Sequence, residues 1–170
     1  MTPPPRIHIV GRRNCGKTTL VCDLIAEFTE RGLRVASIKH THHQHELDTP
    51  GKDSWKHRQA GAALVGILSP GMTALFRPYE QTHRNEDRYL PLITAAADCQ
   101  LVIVEGDLHT IAPKVEVWRQ AAVEPPWATE VSEICAIVSD DLTADAPCPV
   151  WPRSNIAAIA DGLLRLVDLD

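Results

Sequence analysis

The sequence of 170 residues has no Cys-x-x-Cys pair, although it carries five cysteines at positions 15, 22, 99, 135 and 148. An odd number without paired spacing argues against a disulfide framework and suits a reducing compartment, so a cytoplasmic protein is expected. No stretch approaches the roughly 18 consecutive apolar residues that a membrane helix needs. The proline-rich start, Met1 to Arg6, has no apolar run and does not read as a signal peptide. No membrane partner is therefore expected. Basic residues are not in excess either: 17 Lys and Arg stand against 22 Asp and Glu, a net charge of -5. Duplex binding draws on a basic surface, so nucleic acid is not expected as the main partner. There is no internal repeat, low-complexity tract or linker, and the length fits a single domain over residues 1–170. With 44% hydrophobic residues the chain can bury a core without disulfides or a structural metal.

What the chain does have is an alternation of strand and helix patterns. The β-branched run Ile7-His8-Ile9-Val10 stops at Gly11 and reads as a buried strand. From Thr18 to Arg31, Leu20, Val21, Leu24, Ile25 and Phe28 keep helical spacing, and Gly32 follows as a C-cap. Leu33 to Ile38 reads as the next strand, so the first forty residues form a β-loop-α-β unit with a right-handed crossover. Further on, Asp53-Ser54 open a helix to Ala60, and Pro70-Gly71 join strands Ala62–Ser69 and Met72–Arg77. A helix is expected over Glu86–Asp98 and strands over Gln100–Glu105 and Ile134–Val138. Lys114–Trp118 alternates and reads as an edge strand. Pro149–Trp151 reads as a short last strand, and Ser154 or Asn155 caps a helix to about Leu169. The expected fold is α/β: a three-layer, mostly parallel sheet with helices on both faces and an added antiparallel hairpin.

Between the first strand and helix, Gly11-Arg12-Arg13-Asn14-Cys15-Gly16-Lys17-Thr18 matches G-x-x-x-x-G-K-[ST] in the strand-before, helix-after context that gives the motif meaning. Gly11 and Gly16 permit backbone angles that turn successive N–H groups inward. Those groups and the helix N-terminus cradle an anion. Lys17 reaches the β- and γ-phosphates, and the Thr18 hydroxyl suits Mg²⁺, a hard cation that prefers oxygen. Arg12 and Arg13 are candidate phosphate contacts, or else solvated. Asn14, Cys15 and Thr19 complete the candidate loop. Glu105 closes the most apolar strand of the chain and is followed by Gly106. A carboxylate there needs a partner, and Mg²⁺ or its water supplies one.

The segment Lys39-His40-Thr41-His42-His43-Gln44-His45-Glu46-Leu47-Asp48 holds four histidines in six positions. Three readings stand: anion contact through Lys39, His40 and Lys52; binding of Zn²⁺ or Ni²⁺; or a solvated polar loop. Asp48 is a candidate to hold Mg²⁺ or to orient a water. The spacing is not that of a structural zinc site.

Several blocks together resemble the molybdopterin-guanine dinucleotide biosynthesis protein B family (MobB). They are Val10-Gly11, Asn14 and Gly16-Lys17-Thr18-Thr19-Leu20; Val35 to His43 with Lys39-His40-Thr41-His42-His43; Asp48-Thr49-Pro50-Gly51-Lys52-Asp53-Ser54; Ala60-Gly61-Ala62; and Glu105-Gly106 with Pro113-Lys114. The resemblance covers most of the chain and thins after about Trp118. It implies a P-loop GTPase-like fold, GTP and Mg²⁺ as ligands, molybdopterin as a further ligand, and a homodimer. It also implies a partner, the guanylyltransferase that joins GMP to molybdopterin, with this chain as its accessory. Two departures stand out. Cys15 replaces a frequent Ser, and Asp107-Leu108 replace the usual Phe-Lys, which removes a lysine and is expected to add repulsion near phosphate. The Asn-Lys-x-Asp guanine signature is absent, so Asp140 or Asp141 after the Ile134–Val138 strand is the candidate acceptor for guanine. With no arginine finger or water-orienting glutamine evident, hydrolysis is expected to be slow. The alternatives are a nickel or zinc metallochaperone GTPase and a small-molecule kinase.

Overall fold

A computed structural model describes residues 3–43, 46–78, 88–141 and 146–169. They fall into two compact units, Met1–Thr41 with Arg88–Asp170, and His42–Asp87.

The larger unit begins with β1 (Arg6–Val10), α1 (Lys17–Glu30) and β2 (Val35–Lys39). The smaller unit supplies α2 (Asp53–Gln59), β3 (Val65–Leu68) and β4 (Thr73–Phe76). The chain then returns to the larger unit with α3 (Leu90–Ala95), β5 (Leu101–Glu105), β6 (Lys114–Val117), β7 (Ile134–Val138), β8 (Val150–Trp151) and α4 (Ile156–Leu166). Six strands form one sheet in the order β2-β5-β1-β6-β7-β8, and every adjacent pair is parallel. In the smaller unit β3 and β4 form the antiparallel pair, Val65 opposite Phe76.

Strand alternation sorts side chains to two faces. Ile7, Ile9, Leu101, Ile103, Val115, Val117, Ala136 and Val138 pack with Leu20, Leu24 and Phe28 of α1 and Ile159, Ala160 and Leu163 of α4. On the opposite face Val102 and Val104 meet Tyr89, Ile93 and Ala96, while Val10 and Ile137 meet Ala128. The result is the expected three-layer α/β arrangement with its hairpin. Trp151 joins the first cluster, and Trp118 and Trp127 pack against the last.

Two expectations need correction. Lys114–Trp118 is not an edge: β6 lies between β1 and β7 and all four of its residues are buried. It is thus unavailable as an edge for pairing with a second copy. Its alternation of charged and apolar residues arises because the charges are satisfied internally. Lys114 Nζ donates to Ala112 O at 3.1 Å and to Thr110 O, and Glu116 accepts from the N–H groups of Trp127 and Ala128, each at 2.9 Å. The helix expected over Glu86–Asp98 is shorter at both described ends, Leu90–Ala95. Pro91, which has no N–H to give, stands in its first turn, and the chain after Ala95 closes in turns. Residues 86 and 87 lie outside the described residues.

Candidate nucleotide-phosphate site

The loop between β1 and α1 has the geometry its glycines foretell. Gly11, Asn14 and Gly16 carry φ of 144°, 64° and 93°, angles that only glycine, and less readily asparagine, adopts without strain. Gly11 is also held by space: a Cβ there would lie 2.4 Å from Val117 O. Helix α1 starts with no capping side chain and no acidic residue in its first turn. Among the described residues, the N–H groups of Arg13, Asn14 and Gly16 meet no protein acceptor. Unsatisfied donors at a helix N-terminus are what an anion completes. Cys15 is turned into the main core, 3% exposed.

The strand register assembles the rest. Glu105 continues the Leu101, Ile103 series and therefore emerges on the α1 face, where the first turn of the helix presents Thr18. The Thr18 hydroxyl donates to Glu105 Oε1 at 2.7 Å. Lys39 is the register partner of Glu105 on β2 and its Nζ lies 3.5 Å from the same oxygen. His40 N–H donates to Glu105 O at 2.9 Å. Gly106, with φ of 93°, keeps this strand end close: a Cβ would lie 3.3 Å from His40 O. Thr18, Lys39, His40 and Glu105, found separately in the sequence, thus stand together. Thr18 and Glu105 are hard oxygens, and the pair fits a cation that keeps waters and phosphate oxygens among its ligands, as Mg²⁺ does. Lys17 Nζ donates to Arg12 O at 2.7 Å.

Other candidates are engaged elsewhere. Arg12 pairs with Glu124, donates to Pro125 O at 3.4 Å and lies over the Trp127 ring at 5.1 Å. Arg13 is exposed. Asp140 Oδ1 accepts from Ser154 N–H at 3.0 Å, and Asp141 Oδ2 accepts from Gln120 N–H at 2.6 Å. Asp48 and Lys52 belong to the smaller unit. There Asp48 is buried and accepts from Ser54 Oγ at 2.9 Å and Thr49 N–H at 2.8 Å, while its Oδ2 has no partner among the described residues. Lys52 is exposed and serves as the N-cap residue of α2. His42 and His43 are exposed, and His45 lies outside the described residues.

Asp107 does not add repulsion near phosphate. Its side chain is buried, accepts from Tyr89 Oη at 2.7 Å and pairs with Arg88. Burial raises its pKa, but the Arg88 and Tyr89 hydrogen bonds and the Arg88 charge outweigh that and bring it down to about 2. The negative charge of Asp107 is therefore neutralised locally. Beside it, His8 stacks edge-on against Tyr89 with ring centroids 5.2 Å apart, and Arg6 lies over the same ring.

Sequence reasoning missed Arg119. It lies two residues beyond β6, and a Cβ on Gly16 would be 3.1 Å from its Nη2. The available signal was position: in open α/β sheets, sites form beyond the carboxyl ends of strands. Reading β6 as an edge concealed it.

The family model described as Molybdopterin guanine dinucleotide synthesis protein B, MobB, matches residues 6–140. The chain belongs to the MobB family. It is 30% identical to the molybdopterin-guanine dinucleotide biosynthesis adapter protein of Escherichia coli K12 over 157 residues, covering 92% of this chain and 90% of that one. It is 31% identical to the adapter protein of the same description from Haemophilus influenzae, covering 92% and 86%. A crystal structure of molybdopterin-guanine biosynthesis protein B superposes with a TM-score of 0.69 at 30% identity, covering 96% and 99%. The MobB match spans the phosphate loop, Thr18, Lys39, Glu105 and Arg119 alike.

Proposed function

We propose that this chain is a GTP-binding adapter in the biosynthesis of molybdopterin guanine dinucleotide. In this reading it presents nucleotide or cofactor to the guanylyltransferase that joins GMP to molybdopterin. The observation that carries the nucleotide reading is the 2.7 Å bond between Thr18 Oγ1 and Glu105 Oε1 at the head of the phosphate-loop helix. The loop N–H groups and α1 bind the phosphates. Lys17 leaves Arg12 O and offsets their charge. Thr18 and Glu105 hold Mg²⁺, which when bound neutralises phosphate charge and fixes its geometry. Lys39 and His40 add donors at the same strand end. Asp140 is assigned to the guanine edge. Hydrolysis is slow in this reading, and molybdopterin is the second ligand. Membership of the MobB family favours the accessory role over the metallochaperone and kinase alternatives.

The same reading makes the protein a cytoplasmic homodimer. Support for an association surface comes from the hairpin of the smaller unit, where Leu68, Met72 and Leu75 are 85%, 74% and 60% exposed. Among the described residues no helix is long and apolar enough to cross a membrane.

The test uses Glu105→Gln and Thr18→Ala, with binding of GTP followed as Mg²⁺ is added. Wild-type binding should tighten with Mg²⁺, and both variants should lose most of that gain, on the order of tenfold. Co-purification with the guanylyltransferase tests the adapter part separately. Magnesium dependence unchanged in both variants would overturn the metal assignment, and no complex with the transferase would overturn the adapter reading.

A further inference from the structure

Most arginines with known partners here meet carboxylates: Arg12 with Glu124, Arg31 with Asp161, Arg34 with Asp98, Arg58 with Glu46, Arg88 with Asp107 and Arg153 with Asp23. Arg119, like the exposed Arg13, Arg77 and Arg165, meets none among the described residues, and its place in the fold sets it apart. Among the described residues its guanidinium has no hydrogen-bond or ion-pair partner, and it is exposed. Yet it is not remote from structure. A Cβ built on Gly16 would lie 3.1 Å from its Nη2, 3.6 Å from Cζ and 3.8 Å from Nε. The planar head group therefore occupies the space that a side chain at residue 16 would take, against the last loop residue before Lys17.

Its backbone is held while its head group is not. Ala122 N–H donates to Arg119 O at 2.9 Å. The next residue, Gln120, donates its N–H to Asp141 Oδ2 at 2.6 Å, and Trp118 Nε1 donates to Glu124 O at 3.0 Å. Glu124 in turn pairs with Arg12 of the phosphate loop. A fixed stem thus delivers a free guanidinium to Gly16, the N-cap residue of α1. The positive end of the α1 dipole and a guanidinium beside it both favour an anion. Guanidinium also offers forked N–H donors that match phosphate oxygens.

We propose that Arg119 is a second cationic ligand of the nucleotide's phosphate chain, supplied by the same polypeptide from the segment after β6. This rests on the nucleotide reading above. It gives Gly16 two constraints, its positive φ and the room that the guanidinium fills.

The experiment measures binding of Mg²⁺-GTP and Mg²⁺-tripolyphosphate to the full chain and to Arg119→Ala, Arg119→Lys and Lys17→Ala. Tripolyphosphate has no base, so it reports the phosphate contacts alone. Arg119→Ala should weaken both ligands on the order of tenfold. Arg119→Lys should recover only part of this, because a point charge lacks the fork. The ligand-free melting temperature of each Arg119 variant should match wild type, since no bond of the side chain to the protein is lost. If Arg119→Ala binds both ligands within twofold of wild type while Lys17→Ala loses them, the nucleotide reading stands and this inference is overturned. If wild type binds neither ligand, the nucleotide reading falls and takes the inference with it. A lowered melting temperature with unchanged affinity would make Arg119 a packing residue and overturn the proposal.

Discussion

His8 stands in the middle of β1, fully buried, with Nδ1 3.0 Å from Gly106 O. A carbonyl only accepts, so Nδ1 carries the proton and Nε2, which has no partner among the described residues, is a bare acceptor. Burial lowers its pKa to about 4 although the Gly106 bond pulls the other way. The sign follows. The folded pKa lies below the ordinary 6.5, so the unfolded chain takes the proton first as pH falls. The stability it contributes is complete above about pH 6.5, declines between 6.5 and 4, and is lost by about pH 4. Urea unfolding at pH 7.5 and pH 5 should therefore show a loss of about 2 kcal/mol in wild type that His8→Phe does not share. Parallel stability curves for the two proteins would show that His8 titrates alike in both states. At this scale the sequence was legible where chemistry and spacing coincide, as at Thr18 and Glu105. It was not legible at Asp107, whose neutralising partner Arg88 is distant in sequence and meets it only through folding.

At the scale of elements, apolar runs were the readable feature. β7 begins and ends at the residues its run marks, and β5 starts one residue later than expected. α1 is set by its leucine spacing and by Gly32 at φ of 81°. The order of strands was not readable, because a strand with Lys and Glu in alternation looks half-exposed until its internal acceptors and donors are known. The packing of α4 was hidden for a similar reason. A glycine within a helix ordinarily gives way to alanine with a gain of roughly 1 kcal/mol. Gly162 should behave oppositely, since a Cβ there would lie 2.6 Å from Trp151 Cη2 and Cζ2. Gly162→Ala is expected to destabilise by about 1–3 kcal/mol. Combining it with Trp151→Leu should recover part of that loss in a double-mutant cycle of thermal or urea unfolding. Purely additive effects would show that the ring and the helix do not contend for the same space.

For the whole molecule, local matches and family membership say different things. The phosphate loop indicates a class of ligand, because its backbone geometry suits phosphate whatever the base. The Lys-His-x-His-His and Pro-Gly-Lys-Asp-Ser blocks carried the resemblance to MobB, and the match over residues 6–140 bears that out. Base choice was not legible, because Asp140 and Asp141 also serve as turn residues bonded to Ser154 and Gln120. In the function proposed above, the β1–α1 loop grips a Mg²⁺-bound nucleoside triphosphate with guanine preferred. Its most direct test is an equilibrium titration of GTP and ATP, with Mg²⁺, against wild type and Lys17→Ala. Tighter binding of GTP than ATP, weakened on the order of tenfold or more by Lys17→Ala, is the expected result. Equal binding of the two nucleotides would remove the guanine assignment, and binding indifferent to Lys17→Ala would contradict the phosphate grip itself.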